Sequence, residues 1–319
     1  MKIDSHLHFW SYDEHEYGWM SEQHACIKSD FLPKHLKPLL DRIGFDGSIC
    51  VQARQTLQET EWLLALADQH PIIKGVVGWV DLCAPDIVDR LGAYAANPLL
   101  KGIRHIVQDE PDDAFLLRED FQRGIAALQP FGLAYDLLLF PKHLPYAVEL
   151  VMKFPNQLFV LDHIAKPDIA NRQFEPWRHD LAALAAHPNV YCKVSGMVTE
   201  TTWAQWDEED FTDYLDAVFA CFGTGRVMIG SDWPVCTLSG SYERTMNIVL
   251  NYVKRFSLEE QALVLGGNCA RFYGVLKSND FVLSGRFRER CHSIACNTSG
   301  DDWIAVRSFS GIQTASQES

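Results

Sequence analysis

Residues 74–105 read KGVVGWVDLCAPDIVDRLGAYAANPLLKGIRH. Two short apolar runs, KGVVGWVD at 74–81 and KGIRHIV at 101–107, flank PDIVDRLGAYAAN at 85–97, whose apolar residues recur at helical spacing. Strand, amphipathic helix, strand is the repeating unit of a parallel sheet, because parallel neighbours need a long crossover to bring the chain back to the same end. Strands rich in Val, Ile and Leu also suit a sheet covered by helices on its face.

The same unit recurs in both directions. Further strand-like runs are KIDSH at 2–6, GSICVQA at 47–53, LAYDLLL at 133–139, LFVLDHI at 158–164, VYCKVSG at 190–196 and RVMIGSD at 226–232. Helical patterns separate them, among them ETEWLLALADQH, REDFQRGIAALQPFG, KHLPYAVELVMKF and EEDFTDYLDAVFACFG. Eight such strands predict an α/β chain folded as a closed (β/α)8 TIM barrel. An open nucleotide-binding sheet would carry GxGxxG or GxxxxGK[ST] after an early strand, and neither occurs. SGSYERTMNIVLNYVKRF and SLEEQALVLGGNCARFYGV are expected to be two last helices completing the barrel wall. The expected domain is 1–276, followed by an irregular tail over 277–319, where periodicity fades and Ser, Arg and Thr accumulate.

Composition narrows the function. The chain has 319 residues, 47% of them hydrophobic, and a formal charge of −14 from 28 basic and 42 acidic side chains. That balance argues against a nucleic-acid partner, which needs clustered Lys and Arg. No run of about 18 apolar residues predicts a membrane partner, and no secretory leader is read at the start. Nine cysteines are scattered without CxxC spacing, Cys291 and Cys296 being the close pair. Reduced thiols in a cytoplasmic protein are therefore expected.

In such a barrel, chemistry sits at the C-terminal ends of the strands. The ends carry His6 and His8, then Gln52 and Arg54, then Trp79 and Asp81. Arg104 and His105 end the fourth, Asp136 lies in the fifth, and Asp162 and His163 end the sixth with Lys166 beyond. Lys193 and Ser195 mark the seventh, and Ser231, Asp232 and Trp233 the eighth. Residues i and i+2 of a strand point to one side, so His6 and His8 converge, which suits a metal ion or a polarised carbonyl. A polar face on an edge strand is the alternative. Burying so many polar groups without partners costs several kcal/mol each, so one shared polar site is expected.

The phrases DSHLHFW, GIRH, LDHIAKP and GSDWP, in that order, resemble the amidohydrolase superfamily and, more narrowly, its sugar-lactonase branch acting on L-fucono- and L-rhamnonolactones. The similarity also takes in VQA, GVVGWVDL, QDEPDDAFL, NVYCKVSGM and GGNCARFYG, and so spans about residues 1–276. The resemblance implies metal ligands at His6, His8, His163 and Asp232, with one divalent ion, Zn²⁺ by its ligand set. It also implies a histidine on strand 5, where this chain has Asp136, and it offers no lysine at the end of strand 4 for a second metal. A metal-free site stays open.

The expected substrate is a small-molecule sugar-acid lactone. Asp232 is expected to activate water, and a metal or Arg104 with the histidines, His163 among them, to polarise the carbonyl. Arg54 and His105 are candidate contacts for substrate polar groups, and Trp19, Trp79 and Trp233 for sugar faces. Lys166 and Lys193 are weaker candidates. The alternatives are a metal-dependent decarboxylase or amidase of the same superfamily, or a barrel that binds a sugar acid without turnover.

Overall fold

The computed structural model describes residues 1–275; the tail expected over 277–319, with Cys291 and Cys296, lies outside the described residues. The eight strands are β1 (Ile3–Leu7), β2 (Gly47–Val51), β3 (Ile73–Gly78), β4 (Leu100–His105), β5 (Ala134–Leu137), β6 (Phe159–Leu161), β7 (Val190–Val194) and β8 (Val227–Ile229). Each pairs in parallel with the next in chain order. Seven helices cross between successive strands, α1 (Pro33–Ile43), α2 (Leu57–Gln69), α3 (Ile87–Ala95), α4 (Glu119–Ala126), α5 (Leu144–Lys153), α6 (Trp177–Ala185) and α7 (Thr212–Phe222), and α8 (Tyr242–Tyr252) follows β8. All eight expected strands form.

The ring closes where β1 meets the segment after β8. Leu7 and Trp233 form a parallel bridge, the His8 N–H donates to Trp233 O at 2.7 Å, and the Asp232 N–H donates to His6 O at 2.8 Å. Closure therefore sets Asp232 beside the two histidines. Asp4 fastens the same seam, its carboxylate accepting from the N–H of Ser231 at 2.9 Å and of His6 at 3.2 Å and from Tyr242 Oη at 3.2 Å.

Two cores result. The large one joins outward strand residues such as Leu7, Cys50, Val76, Ile103 and Val194 to the apolar faces of the helices. The smaller one gathers Ile3, Ile49, Val51, Val77, Ala134, Val160 and Met228 from inside the barrel. Its other members correct the expectation for the last segment. SLEEQALVLGGNCARFYGV is broken into α9 (Leu258–Ala262), a π turn (Leu263–Gly267) and α10 (Asn268–Phe272). Only its middle reaches the outer core, through Val264 and Leu265; Cys269, Ala270, Phe272 and Tyr273 pack onto the inner core instead. Asn268 donates to the carbonyls of Thr224 and Val227, both at 2.8 Å, so α10 lies under the N-terminal ends of the strands. The helix expected over 118–132 also stops early, at Ala126, and a short turn takes in Pro130, whose missing N–H cannot continue an α-helical ladder.

The seven described cysteines are free. Among the described residues no helix is long and apolar enough to cross a membrane.

Gly266 lets the π turn press on β1: a Cβ there would meet Met1 O at 2.4 Å and Ile3 N at 2.9 Å. Gly266→Ala must push backbone apart and is expected to cost about 1–3 kcal/mol, read as a lower urea midpoint; an unchanged midpoint would show that the turn yields freely.

The loop after β2 hangs on Glu59, whose buried carboxylate accepts the N–H groups of Ala53 at 3.0 Å and Arg54 at 2.7 Å. Burial, opposed by these bonds and by Arg54, pushes its pKa from 4.5 up to about 7. Between those values the folded chain holds a proton that the unfolded chain releases, so stability falls as pH rises through the window. Glu59→Gln is expected to flatten urea midpoints between pH 5 and pH 8. Parallel profiles for the two proteins would remove Glu59 as the cause.

Candidate active site

Three imidazoles surround one carboxylate oxygen. His8 Nδ1 lies 2.8 Å from Val51 O, a carbonyl that only accepts, so Nδ1 carries the hydrogen and donates it. Its Nε2 then faces Asp232 Oδ1 at 3.2 Å. His163 Nδ1 bonds Ser195 Oγ at 2.9 Å, leaving Nε2 at 3.9 Å from the same oxygen. His6 Nε2 stands 3.9 Å from it as well, with its ring 5.1 Å from that of His8 and 4.4 Å from that of His163. The period-2 reading of HLH holds.

Backbone strain aims two of these groups. Asp232 has φ +58°, and His163, Ile164, Ala165 and Lys166 run through φ values of 53, 50, 63 and 51°, a single left-handed turn without glycine. Each such residue costs roughly 1–2 kcal/mol, tolerated only where the surroundings over-determine it. Here Ile164 and Ala165 are buried, and Trp177 Nε1 donates to Ile164 O at 2.7 Å. Gly196, at φ +62°, leaves room for the histidine, since a Cβ would sit 2.5 Å from His163 Nδ1.

Beneath the histidines lies a buried charge network. Arg104 Nη1 donates to Asp162 Oδ2 at 3.1 Å and faces His6 Nε2 at 3.2 Å, while its Nη2 donates to Gln52 O. Lys193 Nζ contacts Asp136 Oδ2 at 2.5 Å and Asp162 Oδ1 at 3.0 Å. The register of β4 on β5 sets Arg104 opposite Asp136. Asp136, standing where the resemblance implies histidine, is thus the partner of Lys193. Burial pushes the Asp136 carboxyl up to about 6 against the pull of Lys193. Burial also presses upward on Asp162, but Lys193, His6 and Arg104 overcome it and hold that carboxyl well below the usual range.

Burial drives His6 and His163 well below the ordinary histidine range, which favours neutral rings with a lone pair to offer. For Asp232, burial is outweighed by its neighbours His163, His8 and Lys166, so its carboxyl is held low. His6, His8 and Asp232 form one group able to hold a metal, and His6, Asp162 and His163 an overlapping one, each with ligand atoms within 4.8 Å. Ligands of a tetrahedral zinc stand roughly 3.3 Å apart. The three Nε2 atoms at 3.2–3.9 Å from Asp232 Oδ1 match that spacing, and the Nδ1 positions of His8 and His163 are held by outer partners, as bound histidines require. The donor set fits. Arg104 Nη1 faces the same His6 lone pair an ion would take, so the two compete for it.

Above these residues opens a cavity of about 300 Å³, lined by His8, Trp19, Arg104, His163, Lys166 and Asp232. The expected groups His6, His8, His163, Asp232 and Arg104 are brought together, and Trp19 joins them on the rim. Four other candidates have no face on this cavity. Arg54 pairs with Glu16 at 2.5 Å and lies over the Tyr17 ring, and His105 bonds Glu110 at 2.6 Å and stacks on Phe115. Trp79 Nε1 points at His105, and Trp233 is buried against Phe9 and Phe31. Lys166, weak by sequence, lines the wall. Tyr273 went unread: its hydroxyl lies 2.9 Å from both oxygens of Asp136. Its one sequence signal was its place in the closing phrase GGNCARFYG.

The chain is similar to several known proteins over most of its length. An L-fucono-1,5-lactonase of Burkholderia multivorans is 38% identical over 291 residues, covering 88% of this chain and 98% of its own. An L-fucono-1,5-lactonase of Burkholderia ambifaria is 36% identical over 278 residues, covering 86% and 96%. The crystal structure of an amidohydrolase from Burkholderia multivorans with bound Zn superposes with a TM-score of 0.82 at 39% identity, covering 86% of this chain and 99% of that one. The amidohydrolase family model matches residues 3–275, nearly all of the described barrel, and the chain belongs to that family.

Proposed function

We propose that this protein hydrolyses a sugar-acid lactone of the L-fucono-1,5-lactone type, and that His6, His8, His163 and Asp232 hold one Zn²⁺ for that reaction. The observation that carries the reading is the convergence of three Nε2 atoms on Asp232 Oδ1 at the base of the cavity. Two relatives named L-fucono-1,5-lactonase and a zinc-bound relative support it.

A zinc ion there would supply positive charge against the lactone carbonyl and lower the pKa of a water beside it. The chain's own groups supply the rest. Asp232, held low, is ionised at neutral pH and takes a proton from the attacking water. Water oxygen adds to the carbonyl carbon, the ring C–O bond breaks, and Asp232 returns the proton to the departing ring oxygen. The product is the open hydroxy acid, which ionises to its carboxylate. Arg104, fixed by Asp162 and Gln52, keeps its positive charge at the floor, where oxyanion charge develops. Trp19, 43% exposed on the rim, offers a flat face to sugar C–H groups.

Initial rates of acid release on a panel of sugar-acid lactones, L-fucono-1,5-lactone and L-rhamnonolactone among them, test this. Asp232→Asn is expected to lower kcat/KM by roughly 10²–10⁴-fold. Chelation should abolish the rate and added zinc restore it. No turnover on any lactone sinks the lactonase reading, and full turnover after verified metal removal sinks the zinc.

A further inference from the structure

In the reaction proposed above, ring opening turns a neutral lactone into an anion and a proton, and the new carboxylate forms beside that of Asp232. The cations on the cavity wall decide how such an anion is held. Both terminal nitrogens of Arg104 are occupied: Nη1 donates to Asp162 Oδ2 at 3.1 Å and Nη2 to Gln52 O. Lys166 is different. It is half-buried on the wall, and among the described residues its ammonium pairs with no carboxylate and donates to no carbonyl. Its Nζ lies over the Phe140 ring, 5.8 Å from the centre.

The backbone fixes where this side chain starts. Lys166 closes the left-handed turn at φ +51°, its N–H donates to His163 O at 2.8 Å, and the buried Pro167 follows. The side chain then stands on a boundary. It lines the inner cavity of about 300 Å³ and also an outer groove of about 720 Å³, whose wall includes Phe140, Lys142, Thr199 and Glu200. Lys142, the other lysine of that groove, is paired with Asp113 at 2.5 Å. The charge of Lys166 is felt on both sides. Burial presses Asp232 and Glu200 upward; Lys166 helps to hold the first low and opposes the rise of the second. An ammonium has three donors and no acceptor, so a ligand that it binds must bring oxygen lone pairs, and a carboxylate brings the strongest.

We propose that Lys166 is the product-binding cation of the site: its ammonium pairs with the carboxylate released on ring opening, at the boundary of the inner cavity and the outer groove. The neutral lactone offers this ammonium only uncharged oxygens, so the side chain distinguishes the acid from its lactone. The inference rests on the lactonase reading.

Initial rates on L-fucono-1,5-lactone at pH 8, with its open acid L-fuconate added as product inhibitor, give KM and Ki from one set of data. Lys166→Met keeps a long side chain and removes the charge. It is expected to raise the L-fuconate Ki about tenfold, the low end for a hydrogen bond to a charged group, and the lactone KM by less than about threefold. L-Fuconamide, the uncharged analogue of the acid, should inhibit wild type and variant alike, and Lys166→Arg should keep the L-fuconate Ki within about threefold of wild type. Should Lys166→Met fail to fold, Lys166→Gln is read in the same way. Ki and KM rising together overturn the proposal, because the side chain then only shapes the cavity. An unchanged Ki in a variant of an active wild type overturns the product role and leaves the lactonase standing, as does a wild type that L-fuconate does not inhibit. A wild type that opens no lactone overturns the proposed function, and the product role falls with it.

Discussion

The seam between β1 and β8 is the constraint on which the rest depends. A sheet of eight parallel strands has to meet itself somewhere, and here it does so through Asp232 N–H on His6 O and His8 N–H on Trp233 O. These backbone bonds join residues more than two hundred positions apart and bring the carboxylate of Asp232 within 3.2 Å of His8. Asp4 braces the seam from outside by accepting from both strands and from α8. Barrel closure and site assembly are therefore one event: a chain that fails to close the ring has no site.

The floor beneath the site is costly. Arg104, Asp136, Asp162 and Lys193 are all buried, and moving such charges out of water carries a penalty of several kcal/mol each before pairing. Their geometry recovers much of it: each carboxylate meets a cation, and Asp136 also meets Tyr273.

Strain is spent at the same place. The left-handed turn from His163 to Lys166 and the left-handed Asp232 border one cavity, and the buried segment around Ile164 with its Trp177 bond makes them sustainable. Substrate-facing groups are thus held by backbone that has little freedom, which suits a site whose donors must be in place before the substrate arrives.

Much was readable in one dimension. Periodicity alone placed every strand, because covered parallel strands are short apolar runs and their crossovers are helical. The strand-end rule named His6, His8, Arg104, His163 and Asp232, since the side of the barrel that carries chemistry is set by chain direction. The same rule overreached at Arg54, His105, Trp79 and Trp233. A strand end fixes height in the barrel but not rotamer, and local partners (Glu16, Glu110, Phe31) drew these side chains away from the cavity. What only the tertiary structure decided is the set of contacts between distant segments. Lys193 found Asp136 and Asp162 across the interior, and Tyr273 came up from a helix that the pattern had assigned to the wall. Sequence spacing reports which face a residue shares with its neighbours; which stranger it meets on that face is settled only when the ring closes.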